Sequence, residues 1–433
     1  MQQIIVRQLL WISAATQVSN NAPARGWPPR ASGFEIICRG KWGLEGAEQL
    51  DGFGEFLDGF GGFEAWEAVA FEHDVVAVAG EHEALGADFD RGEVAFGGEQ
   101  ADAVGNVQAL LPGTVGNRTI LLNCHADTPP LSTTAPIPER ITINVGPDSI
   151  SGQAIADNSL GVAVLASLPD ILGRLGIRYR SDIVALASTR SLGDGDLEGL
   201  RFFLENCPTV ISHGLCVEGV HLGRLSCQCL GMVRAEITTR VPDEVNAATW
   251  DRIENAIVIM HRIIHRILKI PIPQEPRTQI ILGSVRAGRT YNRPPTTARL
   301  KLEIRSETPG HARDVRFRIT EILEEISAET GTENTIRFPS LRKPGGIPFS
   351  HPLVRSARTM MKELGVSPSI GPSYGDLAGL ISHQIPAITI GLTKAENLNE
   401  PDERVFIEPL FTGIAQLLGL LREIDEGRAD PES

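Results

Sequence analysis

A chain of 433 residues is long enough for two domains with separate cores, and 42% hydrophobic with 22% charged residues is a globular composition. The formal net charge of −14 sits almost wholly in residues 41–100, where fifteen Asp or Glu face only Lys41 and Arg91, a balance of −13. That distribution excludes a basic nucleic-acid surface, and no uninterrupted apolar run reaches the roughly 18 residues of a membrane span, so neither nucleic acid nor membrane is expected as a partner.

Residues 1–100 read unlike the rest. Asp51-Gly-Phe-Gly54 recurs as Asp58-Gly-Phe-Gly61, and Gly, Phe and Glu break any helix or strand period. Three readings stay open: an acidic extension without order, a weakly patterned part of a domain, or a misplaced start of the chain. Met1–Ala15 lacks the long apolar stretch of a secretory signal. The six cysteines, at 38, 124, 207, 216, 227 and 229, have no CxxC spacing and read as reduced small hydrophobes. A cytoplasmic location is therefore expected.

From residue 101 the pattern becomes α/β. Arg118–Cys124 is a short apolar run ending in polar residues, a buried strand. Asp157–Leu172 has helical spacing, with Pro169 expected to kink or shorten it. A strand at Asp182–Ser188, a helix at Gly195–Glu205 and a strand at Gly214–Glu218 follow, an alternation that predicts a mainly parallel sheet covered by helices. Then the character changes. Strand Met232–Arg240, helix Ala248–Leu268, strands Gln279–Val285 and Thr297–Arg305, helix Ala312–Glu329 and strand Asn334–Phe338 form a ferredoxin-like β-α-β-β-α-β module. His261 and His265 on its first helix read as a basic solvent face with Arg262 and Arg266. The α/β pattern resumes with strand Pro386–Gly391 and closing helix Pro409–Glu423. The expected organisation is an atypical segment 1–100, a first α/β part 101–227, an inserted module 228–340, a second α/β part 341–425 and a tail 426–433.

His125-Ala-Asp127 closes the first of these strands, at the carboxyl end where α/β sheets collect ligands. Such a triplet could place an imidazole on a metal, with the nearby carboxylate holding the ring. Asp102-Ala-Val-Gly-Asn-Val107 precedes it, Asp127-Thr-Pro129 overlaps it, Ala156-Asp157-Asn158 opens a helix about thirty residues on, and Val217-Glu218-Gly219 ends another strand. In this order and spacing the segments resemble the two-zinc exopeptidase and deacylase family, which includes aminoacylases, glutamate carboxypeptidases and tripeptidase T. Gly195–Arg201 looks most like tripeptidase T relatives, and Ile385-Pro-Ala387 with Ile390-Gly391 resembles a late family strand. The match spans roughly residues 101–425.

The resemblance implies a zinc-peptidase catalytic domain carrying an inserted lid and dimerisation domain, hence a homodimer. It further implies that His125, Asp157 as bridge, and Glu218 are metal ligands, with Asp127 orienting His125. Asn292, within Arg286–Pro294, and Arg305, within Leu302–Arg305, would contact a peptide or N-acyl amino acid. In that family two zinc ions share a bridging carboxylate and activate a water, and one glutamate of a Glu-Glu pair is the general base. Here the pair falls on Arg190-Ser191 or Ser191-Leu192, the terminal histidine on Asn399, and Arg240–Asn246 holds no lid histidine. The general base is therefore not found, at most one zinc ion is expected per chain, and catalysis is expected to be impaired. Two alternatives remain: an active metal-dependent exopeptidase or deacylase with a non-standard base such as Asp194 or Asp196, and a non-catalytic binding or scaffold protein.

Overall fold

The computed structural model describes residues 102–128, 142–242 and 255–431, together with three short strands at 37–39, 68–70 and 76–78. The expectations for the remainder of residues 1–100, and for a helix start at Ala248, lie outside the described residues. The strands and helices that position the site are, in chain order, β1 (Val107–Leu111), β2 (Thr119–His125), α1 (Gly161–Leu175), β3 (Asp182–Ser188), α2 (Glu198–Asn206), β4 (Ile211–Val220) and β5 (Arg224–Ser226). Next come β6 (Gly231–Arg240), α3 (Ala256–Ile267), β7 (Thr278–Ala287), β8 (Thr297–Ser306), α4 (Pro309–Thr330) and β9 (Glu333–Arg342). The chain then forms α5 (Pro352–Glu363), β10 (Ser369–Ile370), α6 (Leu377–Ser382), β11 (Ala387–Thr393) and α7 (Ile407–Asp425). The fold is mixed α/β.

The chain divides into two compact units: residues 1–227, 347–371 and 375–433 form one, and residues 228–346 with 372–374 form the other. The first is built on a seven-stranded sheet in the order β10-β5-β11-β4-β2-β3-β1. The central run β11-β4-β2-β3 is parallel throughout, while β1 pairs antiparallel with β3 and β5 antiparallel with β11. Every residue of β2 and of β11 is buried, which is why both read as continuous apolar runs rather than alternating ones.

Side-chain alternation splits the core in two. Ile120, Leu122 and Cys124 of β2 face a cluster with Val164, Leu168, Leu353, Leu417 and Leu421. Leu121 faces the opposite cluster with Leu186, Leu200, Phe203, Leu377 and Leu380. Helix α1 ends at Gly176, whose left-handed φ of 65° lets its N–H and that of Ile177 bond back to the last turn. Pro169 lies inside α1, which continues to Leu175 rather than stopping there. With the turn before it, α1 forms a segment, Ile155–Leu175, long and apolar enough to cross a membrane, yet 72% of its 18-residue window is buried inside the fold. The five described cysteines with side chains placed, 124, 207, 216, 227 and 229, are unpaired.

The second unit is an antiparallel sheet in the order β7-β8-β6-β9, the strand arrangement of a split βαβ module. Helices α3 and α4 cover one face, burying Ile259, Ile263, Ile319 and Ile322 against Ile237, Leu300 and Ile304. Asn255 caps α3 through its side chain, and Thr308 caps α4 with Pro309 following. His261 and His265 are exposed on α3, their rings stacked with centroids 6.1 Å apart.

Replacing the fully buried Leu168 by Ala should destabilise the first unit by about 2–5 kcal/mol through lost burial and an unfilled cavity. Leu175→Ala on the same helix, at a residue 49% exposed, should cost under about 1 kcal/mol. Urea unfolding of both variants checks the contrast.

Candidate metal centre

His125 is the last residue of β2, so the buried strand delivers its imidazole to the carboxyl end of the sheet at only 7% exposure. Its Nδ1 lies 2.7 Å from the main-chain carbonyl oxygen of Asp127. A carbonyl only accepts, so Nδ1 carries the proton and donates, and Nε2 is turned toward Asp157 and Glu218. The ring is thus held by Asp127, but not through its carboxylate as the sequence suggested. That carboxylate accepts instead from the backbone N–H groups of Ser191 (3.1 Å) and Leu192 (2.7 Å). Residues 188–192 turn past the end of the sheet there, and a fixed anion satisfies two N–H groups at once.

Asp157 stands in the turn before α1. Its φ, ψ of −111°, 96° and those of Asn158 (−126°, 29°) are non-helical, which is why α1 starts at Gly161 and not at 157. The Asn158 side chain clamps this turn to β4. Its Nδ2 donates to the carbonyl of Val217 (2.9 Å) and its Oδ1 accepts from the N–H of Gly219 (2.6 Å), the two neighbours of Glu218. Gly219 is required by the closeness of this approach, since a Cβ there would fall 2.3 Å from the carbonyl oxygen of Ala156.

The clamp brings His125 Nε2 to 3.3 Å from Asp157 Oδ1 and 3.9 Å from Glu218 Oε2. One ligand atom from each of the three lies within 4.8 Å of the others, the one such group among the described residues. Burial works against charge on His125, but the hydrogen bond and charge of Asp157, with Asp376 and Glu218, outweigh it and hold the imidazole pKa well above its usual value. Burial likewise opposes ionisation of Asp157, yet the hydrogen bond and charge of His125, then Arg224 and His221, bring its carboxyl below the ordinary range. Electrostatics that hold a proton between an imidazole and two carboxylates also favour a divalent cation, which would displace it. One imidazole nitrogen and two carboxylates, with the second ring nitrogen tied to a carbonyl, suit a single zinc-like ion with an open position.

Among the described residues, a second ion finds no comparable donor set. The Arg190 guanidinium pairs with Glu198 at 3.0 Å, Ser191 is buried with its hydroxyl 3.4 Å from that of Ser188, and Leu192 offers only its N–H. Asn399 sits at a left-handed φ of 63°. Asp194 is exposed on a short turn, and Asp196 lies 3.9 Å from Arg201. The lid-histidine segment is described only through Pro242. Asn292 lies exposed between β7 and β8, its Oδ1 accepting from Thr290 at 3.3 Å. Arg305 donates to Glu303 at 2.5 Å and stacks its guanidinium 4.4 Å from the Tyr374 ring centroid. Both belong to the second unit.

Two buried acids of this site were not singled out from the sequence. Asp376, 5% exposed, accepts from Asn123 Nδ2 at 2.7 Å. Asn123 shares a strand face with His125, two residues on. Burial, opposed by the charge of His125 and reinforced by Glu218, pushes the Asp376 carboxyl to about 6. Glu403 is 1% exposed; burial raises its carboxyl to about 7, against the backbone hydrogen bonds of Ala156, Asn399 and Asp157. It thus supports the loop carrying Asp157. The sequence hint for Asp376 is its position after the turn-forming Gly371-Pro-Ser-Tyr-Gly375, directly before α6.

Because Glu403 titrates near 7 in the folded chain and near 4.5 when unfolded, the folded state binds this proton more tightly. The stability it contributes is present below about 4.5 and is lost as pH rises to about 7, by an amount on the order of 3 kcal/mol. Glu403→Gln should remove that part of the pH slope, so chemical denaturation at pH 5 and pH 8 should give a smaller stability difference for the variant than for the parent chain.

No protein-family model matches the sequence, and no curated relative matches it. Solved structures do. A tripeptidase from Staphylococcus aureus aligns with a TM-score of 0.59 at 18% identity, covering 75% of this chain and 87% of its own. Dug1p, a di-peptidase of Saccharomyces cerevisiae, aligns at 0.60 and 10% identity over 76% and 83%. YXEP of Bacillus subtilis, described as a dinuclear metal binding peptidase from the M20 family, aligns at 0.51 and 16% identity over 75% and 86%. The chain has the fold of the M20 peptidases.

Proposed function

We propose that this chain is a zinc-dependent peptidase or amidohydrolase relative that has kept one metal site and lost most of its catalysis. The observation that carries this reading is the His125–Asp157–Glu218 group within 4.8 Å, beside positions 190–192 and 399 that offer neither carboxylate nor imidazole. A bound zinc ion would act there as a Lewis acid. His125, Asp157 and Glu218 would hold it, Asp127 would fix the ring through its carbonyl, and Asn158 would hold Asp157 beside Glu218. The proposed ligand class is a peptide or N-acyl amino acid, with Asn292 and Arg305 as the proposed substrate contacts, and the second unit carries the proposed homodimer surface. The reduced cysteines support a cytoplasmic location.

A second reading, an active hydrolase, is favoured by one observation. The Asp376 carboxyl is buried, electrostatically coupled to His125 and Glu218, and titrates near 6, within the range useful for a general base.

Elemental analysis of purified protein should find about one zinc per chain, falling to near zero in His125→Ala. Turnover of a tripeptide or N-acetyl amino acid should be at least about 10²-fold below that of a two-ion peptidase assayed beside it, the scale of losing a general base. Two zinc ions per chain, or rapid turnover abolished by Asp157→Ala, would sink the impaired reading. Turnover lost in Asp376→Asn with zinc content unchanged would put the second reading in its place.

A further inference from the structure

The carboxylate of Glu218 has two neighbours of opposite purpose. Its Oε2 faces His125 Nε2 at 3.9 Å, while its Oε1 lies 3.6 Å from Arg224 Nη1. The geometry that brings Arg224 there is specific. After β4 the chain turns through His221 (φ 62°) and Gly223 (φ 97°), and the N–H of Arg224 closes the turn on the carbonyl of His221 (2.8 Å). β5 then pairs with β11, so that β11 separates it from β4. The residue of β11 registered beside Glu218 is Gly391, which has no side chain. A Cβ there would lie 2.2 Å from the carbonyl oxygens of Val220 and His221, so the chain crosses directly over that point. Arg224 Nε also bonds the hydroxyl of Ser226 at 3.4 Å, which steadies the guanidinium.

Counting charge shows what this does. Asp157 and Glu218 carry two negative charges, and one divalent ion cancels them. Arg224 then offsets the remaining carboxyl, that of Asp376, so the pocket carries no net negative charge before any second ion arrives. The Arg224 side chain is 23% exposed, so its field is only partly screened by water.

We propose that Arg224 takes the place of a second cation at this site: its guanidinium neutralises Glu218 on the side away from His125, so that the pocket admits one divalent ion and resists another. This rests on the one-ion reading above and names the residue that sets the stoichiometry. It makes a prediction of sign. A guanidinium that merely orients Glu218 as a ligand would strengthen ion binding, and its loss would weaken it. A guanidinium acting as a resident cation repels the incoming ion, and its loss tightens binding. For charges of one and two separated by about 6 Å in a water-like dielectric, the gain is about tenfold.

The test is calorimetric titration of the metal-free, full-length chain with Co²⁺, followed in parallel by visible absorption, on the parent, Arg224→Gln and Arg224→Lys. Circular dichroism establishes that each is folded. The expected result is one Co²⁺ per parent chain, binding about tenfold tighter or more in R224Q, and affinity close to the parent in R224K. Equal or weaker binding in R224Q, with one equivalent retained by the parent, overturns this inference and leaves the one-ion reading standing. A parent chain that takes up no Co²⁺ at millimolar concentration overturns both.

Discussion

The two hydrogen bonds of the Asn158 side chain decide where everything else in the site can be. They tie the turn carrying Asp157 to the backbone on either side of Glu218, at 2.9 and 2.6 Å, and so fix the distance between two carboxylates that repel each other. Like charges held this close are costly unless a cation lies between them. His125, delivered by a strand buried along its whole length, is the permanent partner. The tight packing of Gly219 beneath Ala156 leaves no slack for the turn to move away. Given that constraint, the raised imidazole, the depressed Asp157 carboxyl and the affinity expected for a divalent ion have a single cause.

Much of this was legible in the sequence, for identifiable reasons. Strands with helices on both faces must be apolar throughout, and Thr119–His125 and Ala387–Thr393 announce themselves that way. His125 was readable as a candidate because it stands at a strand end, and Asp157 and Glu218 because the family resemblance carried the ligand roles onto them. The β-α-β-β-α-β order of the second unit was readable because its strands and helices have clean, different periods. The edge strand Val107–Leu111 was not, since exposed Gln108 and Leu110 alternate with buried residues over only five positions.

What stayed illegible depends on tertiary neighbours. Asp376 meets Asn123 across more than 250 residues of chain, and Glu403 reaches the Asp157 loop from the far end of the sequence. Arg224 is near Glu218 in sequence, but its role appears only once β11 is seen to lie between their strands. The Asp127 reading named the right residue and the wrong atom. A side-chain carboxylate two residues from a histidine invites pairing, yet the backbone carbonyl reaches Nδ1 and the carboxylate is engaged elsewhere. Side-chain identity in a sequence says nothing of which main-chain atoms will do the work.

That last feature bears on how such a pocket can change over time. Ser191 and Leu192 hold the Asp127 carboxylate with N–H groups, which every residue but proline possesses. This support of the histidine loop therefore runs through main-chain groups of Ser191 and Leu192, which lie among the positions, 190–192, where the family resemblance calls for glutamates. Acidic residues can be lost there without disturbing the scaffold, so selection on chemistry can lapse while selection on folding continues. By the same token, directed evolution at 191 and 192 begins from a preserved frame, with the chemistry rewritable and the architecture left in place.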